Sequence, residues 1–219
     1  MIKPKKNNQV NHDTRKSRIN YLRSENDNIF FDKDFNKFEF STNHPKQQKD
    51  FNNLIKKDFE NYKKLIQKDN SDFVISHNEE IEIHNSQKIN EDNQLSKTQS
   101  SIQKNTKYSF SGLLTFSPTM KKDFENNKEL FYKKLKQFIK DFEEKHNTKI
   151  LYSSIHLDEK TPHIHFEILN YDFKNHNTLK RTFTKEDMSN FQDMGGNIFK
   201  DFGQGYHRGI KKKLQDQHN

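Results

Sequence analysis

Three histidines, His156, His163 and His165, stand within one short run, His156-Leu157-Asp158-Glu159-Lys160-Thr161-Pro162-His163-Ile164-His165. Side chains two apart on a strand share a face, so His163 and His165 project together while Ile164 and Phe166 go to the other side. A turn at 158–162 folds the run back and sets His156 opposite His163, where cross-strand Cβ atoms lie roughly 4.5–5.5 Å apart. Three neutral imidazoles that converge in this way are a good set for a divalent metal, with nitrogen at ~2.0–2.2 Å and positions left open for water or a phosphate oxygen. Glu159, in the turn, and Glu167, two residues beyond His165 on the same face, are carboxylates in position to hold an imidazole tautomer. Asp158 reads as a turn former through side-chain bonds to nearby backbone. Cysteine is absent, which removes disulfides, thiolate metal sites and thiol catalysis.

The elements that position these groups follow from periodicity. Ile150 to Leu157 and His163 to Leu169 read as two strands of an antiparallel hairpin joined by the five residues 158–162. Leu151, Ile155 and Leu157 face away from His156 and match Ile164, Phe166 and Ile168, so one face is core and the other carries the histidines. Tyr108 to Phe116 alternates as a further strand, and the runs at 29–31 and 38–40 read as small strands or a hairpin. Apolar residues at three- and four-residue spacing predict a helix over 45–68, a second over 124–142 ending near Asn147, and a third that Thr184 caps with Asp187 as its partner. Gly195-Gly196 is expected to break the third helix. Residues 73–84 are expected to form two short strands, and 85–107, a Ser, Gln, Asn and Lys tract, a mobile loop. The fold class expected is α+β, an antiparallel-rich sheet with a His-bearing hairpin and amphipathic helices packed on one face.

The 219 residues are 29% hydrophobic and 32% charged, enough for one compact core with polar arms. A net charge of +8 favours an anionic partner such as nucleic acid. Arg15, Arg18 and Arg23 in the N-terminal arm, with Lys16 and the run Lys211-Lys212-Lys213, are the groups expected to meet phosphates. No apolar run approaches the ~20 residues of a membrane span, and the first ten residues hold no apolar segment of a signal peptide, so a cytoplasmic protein is expected.

The string HLDEKTPHIH resembles the metal motif of the plasmid mobilisation relaxases of the Mob/Pre (MobV) family, a branch of the HUH endonucleases. A second patch, Asn11-His12-Asp13-Thr14-Arg15, is similar to the family's N-terminal His-Asn-x-Arg motif, with Asp in place of Asn. The resemblance implies a metal-dependent nickase that cuts one strand at a plasmid transfer origin and stays attached to the 5′ phosphate. It places the metal ligands on His156, His163 and His165, the nucleophile on His12, and Mn2+ or Mg2+ at the centre. Tyr21 is the alternative nucleophile, since tyrosine serves in many HUH enzymes. The partners implied are origin-of-transfer DNA, single-stranded and supercoiled, and the conjugation machinery, with no small-molecule cofactor. On this reading residues 1–28 are a basic arm carrying the nucleophile motif, 29–210 a single catalytic domain and 211–219 a basic tail. Three other readings stay open: a rolling-circle replication initiator of the HUH class, a truncated mobilisation protein that binds DNA without cutting, and a structural metal hairpin in an unrelated protein, which would not explain the pattern from His12 to Arg15.

Overall fold

Two strands, each with a histidine at one end, form the centre of a five-stranded antiparallel sheet. The computed structural model describes residues 28–40, 45–87, 94–159 and 161–203. The central pair is β4 (Ile150–His156) and β5 (His163–Leu169), flanked by β1 (Asn28–Asp32) and β3 (Ser109–Thr115), with β2 (Lys37–Phe40) at the far edge in the order β2-β1-β4-β5-β3. Every residue of β1, β4 and β5 is buried, whereas β3, an edge strand, is only partly covered.

One face of the sheet is covered by α2 (Met120–Asn126), α3 (Lys128–His146) and α5 (Lys185–Phe199). Phenyl rings fill the space between. Phe131, Phe138, Phe142, Phe191 and Phe199 pack against Ile155, Ile164, Phe166 and Ile168 in one buried cluster. The rings meet largely edge to face, as between Phe142 and Phe191 at 5.4 Å and 87°, an arrangement that the ring quadrupole favours. A chain so poor in smaller aliphatic residues builds its core from this geometry. Asn147 ends α3 in a left-handed conformation, φ 47°, and Thr184 and Asp187 close a capping box at the start of α5. The helix α4 (Leu179–Thr182) is a single turn.

The opposite face carries α1 (Pro45–Gln87), a helix of 43 residues. Its Phe51 and Ile66 close over Phe30, Leu151, Tyr152, Leu169 and Tyr171. The α+β class and the His-bearing hairpin therefore stand, and the helices expected over 124–142 and after Thr184 share one face, whereas the helix expected beside them over 45–68 is the start of α1 and lies on the other. Among the described residues no helix is long and apolar enough to cross a membrane.

Four local expectations are corrected. Residues 73–84 are not strands but the second half of α1. The β-branched residues at 74, 75, 81 and 83 suggest a strand locally, yet Ile66, Asp69, Asn70, Phe73 and Ile81 all meet the body of the protein at helical spacing, and that tertiary surface overrides propensity. The tract after α1 is not a mobile loop over its described part, 94–107, but a strap. Asn85 exchanges two hydrogen bonds with the backbone of Leu95 (2.9 Å each), Asn78 does the same with Thr98 (2.7 and 3.1 Å), and Asn70 bonds the hydroxyls of Ser100 and Ser101. The spacing works because three extended residues span roughly 10 Å, close to the ~11 Å of seven or eight helical residues. Leu151 lies with the α1 cluster rather than with Ile155, because a bulge between Ile150 and Tyr152 shifts the alternation. Finally, α5 runs through Gly195-Gly196 unbroken, since a Cβ on Gly195 would stand 2.7 Å from Leu114 Cδ1. That glycine admits β3.

Candidate metal centre

The β4–β5 register places His156 directly opposite His163, and Ser154 opposite His165. Because both ladders alternate faces, the three imidazoles fall on the α1 side of the sheet, beyond the region that α1 itself covers. Phe30, under α1, pairs with Ser154 and so belongs to the same row as His165. The ring centroids form a near-equilateral triangle, 5.0 Å from His156 to His163 and 4.8 Å for each of the other two sides. One nitrogen from each ring can be chosen so that all three lie within 4.8 Å of one another. All three histidines are buried, with 0%, 9% and 6% of their surfaces exposed for His156, His163 and His165.

The tautomer of His163 follows from its partner. Its Nδ1 lies 2.8 Å from the carbonyl oxygen of Thr161, which can only accept, so Nδ1 carries a proton and, in the neutral ring, Nε2 presents the lone pair. Nε2 in turn lies 3.9 Å from Glu159 Oε1, and the same oxygen is 3.8 Å from His156 Nδ1. One carboxylate oxygen thus stands within reach of a nitrogen from each of two rings. The donor set therefore fits a divalent ion, with three nitrogens from strands and one carboxylate at the turn.

The turn is anchored more firmly than a turn-forming role for Asp158 requires. Asp158 is buried and accepts a 3.0 Å hydrogen bond from Asn28 Nδ2, a bond that ties β1 to the loop holding Glu159. Neither partner of this link is legible locally, since Asn28 opens a strand separated from the turn by most of the chain. Glu167 lies on the histidine face as expected, but its carboxylate accepts from Ser109 Oγ at 2.5 Å and so braces β5 against β3. Beside the triad, Leu113 pairs with His165 and Thr115 with His163, and both are exposed.

His12, Arg15, Arg18, Tyr21 and Arg23 lie outside the described residues, as do Lys160 in the turn and Lys211 to Lys213. A protein-family model described as plasmid recombination enzyme (Mob_Pre) matches residues 36–219, a span that includes all three histidines. No curated protein and no solved structure matches the chain.

Proposed function

The chain belongs to the plasmid recombination enzyme family, Mob_Pre, and on that premise we propose that it is a plasmid mobilisation relaxase, a nickase that cuts one DNA strand at a transfer origin and keeps the 5′ phosphate. The observation that carries this reading is the convergence of three buried imidazoles on one hairpin end in a member of this family. His156, His163 and His165 would hold a divalent ion, Mn2+ or Mg2+, which supplies neutralisation of charge on the scissile phosphate. The chain's own groups do the rest. The Thr161 carbonyl keeps the proton of His163 on Nδ1, Glu159 balances charge at the centre, and the Asn28–Asp158 bond holds the turn that positions both.

His12 is the proposed nucleophile. A neutral imidazole nitrogen of His12 attacks phosphorus in line, the bond from phosphorus to the 3′ oxygen breaks, and that oxygen leaves as a 3′-hydroxyl after taking up a proton. The strand is then joined to the protein through a phosphohistidine, which retains the bond energy for rejoining. Tyr21 is the alternative nucleophile, and Arg15, Arg18 and Arg23 are proposed to bind phosphates along the strand. The partners on this reading are supercoiled plasmid and single-stranded transfer-origin DNA, handed on to a conjugation machinery in the cytoplasm.

The test is incubation with supercoiled plasmids bearing candidate transfer origins, with Mn2+ or Mg2+, followed by protease and electrophoresis. Nicked circles that require the added ion are expected. The double variant His163→Ala with His165→Ala should lose nicking while keeping most of its salt-sensitive DNA binding, because electrostatic contacts are spread over a basic surface. Undiminished nicking by that variant would sink the metal assignment.

A further inference from the structure

A second feature lies on the histidine side of the sheet, at the opposite end of β3. There α1 and the strap diverge around a groove of about 700 Å³. Lys63, Gln67 and Ile75 come from α1 at four- and eight-residue steps, hence from one stripe of the helix, and Ile102, Lys104 and Tyr108 come from the strap. Among the described residues, none of the lining side chains is acidic. Glu60 meets Lys63 at 3.9 Å from outside the groove. Tyr108 is held as a platform: its ring packs with Ile102 on the core beneath α1, its hydroxyl accepts from Gln67 Nε2 at 2.9 Å, and Lys63 Nζ stands 5.6 Å from the ring centroid.

The groove is connected to the metal centre by the edge strand. Tyr108 directly precedes β3, whose register runs from Ser109 opposite Leu169 to Thr115 opposite His163. Seven steps of ~3.3 Å from Tyr108 to Thr115 separate the two places by roughly 23 Å, the length of a few nucleotides of extended strand. Between them the histidine face of β3 presents Ser109, Ser111, Leu113 and Thr115, of which the last two are exposed.

We propose that this groove is a second anchor for the DNA strand cut at the metal centre, with one base packed against Tyr108, Ile102 and Ile75 and the adjoining phosphates met by Lys63 and Lys104. Positive charge beside an aromatic platform is how sequence-tolerant single-strand sites are built. The absence of acidic lining groups and the +8 net charge select an anionic occupant, while the apolar floor calls for a flat, weakly polar group such as a base. The assignment rests on the relaxase reading, and it places a strand-holding site a few nucleotides from the cut.

The chain has no tryptophan, so Tyr108→Trp introduces a single indole at the platform. Titration with a fluorescein-labelled oligothymidylate should quench the indole with the same midpoint as the rise in fluorescein anisotropy. Lys63→Gln combined with Lys104→Gln should weaken oligothymidylate binding about tenfold and flatten its dependence on log salt by ~1.4, two phosphates' worth for a single strand. An indole left unquenched while anisotropy reports binding, together with wild-type affinity in the lysine variant, would overturn the groove assignment and leave plasmid nicking untouched. Equal quenching by oligoglutamate would reassign the groove to acidic peptides and overturn it too. Loss of both oligothymidylate binding and plasmid nicking in the wild-type protein would instead bring down the relaxase reading, and the anchor with it.

Discussion

At the residue scale, the environment of each histidine decides its role. His163 is committed by a backbone carbonyl to one tautomer and offers its other nitrogen to the centre. His146 shows the opposite outcome. It closes the last turn of α3, its ring tilted against Phe142 at 4.7 Å and Phe183 at 5.0 Å, and its Nε2 is buried with no hydrogen-bond partner among the described residues. Burial holds its pKa below the ordinary 6.5, with Asp187 pulling upward and Lys145 downward. The sign follows directly: the unfolded chain takes up this proton near pH 6.5 and the folded chain only at lower pH. The contribution to stability is therefore complete above about 6.5 and is lost as pH falls towards the folded value. His146→Phe, which keeps the ring contacts and removes the titrating nitrogen, should show a smaller drop in its urea midpoint than wild type between about pH 7 and pH 5. Parallel curves for the two proteins would show that His146 protonates as readily folded as unfolded.

At the element scale, what was legible in the sequence is what is local. The hairpin of β4 and β5 is readable because alternation, a five-residue polar connection and Pro162 all act within a short stretch. For the same reason the opposition of His156 and His163 follows from pattern alone. The capping box at Thr184 is equally local. The second half of α1 and the strap are not readable that way. Their stability comes from partners far along the chain, such as Asp69, which accepts from Tyr171 at 2.7 Å and lies 2.8 Å from His176 Nδ1, and from asparagine bonds between segments that look like solvated loop. Gly195 misleads for a related reason, since its small size serves β3 rather than a helix break. Gly195→Ala gains ~0.5–1 kcal/mol of helix propensity but brings a Cβ to 2.7 Å from a terminal methyl of the half-buried Leu114, and the shift forced on that methyl offsets the gain. Gly196→Ala, at a half-buried neighbouring position, should keep the gain. Chemical denaturation should thus find Gly196→Ala more stable than Gly195→Ala, and equal stabilisation of the two would mean that Leu114 moves aside at no cost.

At the scale of the whole molecule, the triad lies on the sheet face that α1 covers elsewhere, and among the described residues Leu113 and Thr115, beside the triad, are exposed. The groups proposed to attack, His12 or Tyr21, stand in the basic stretch before β1, and β1 is hydrogen-bonded along β4, beside His156. Asn28, whose side chain holds the Asp158 turn, therefore stands at the metal end of the sheet. The chemistry of the adduct names the nucleophile. A phosphorus–nitrogen bond to imidazole is weakened when the ring is protonated, because protonation turns the ring into a good leaving group. A phosphate ester of tyrosine gains no comparable leaving group in mild acid. The 5′-linked adduct isolated after nicking should therefore disappear in mild acid, be absent from His12→Ala, and persist in Tyr21→Phe, as read by electrophoresis of labelled DNA with and without acid treatment. An acid-stable adduct that is lost in Tyr21→Phe would transfer the role to Tyr21 while keeping the metal centre. Tight binding of origin DNA with no adduct under any condition would leave a protein that holds its DNA at an assembled metal site and does not cut it.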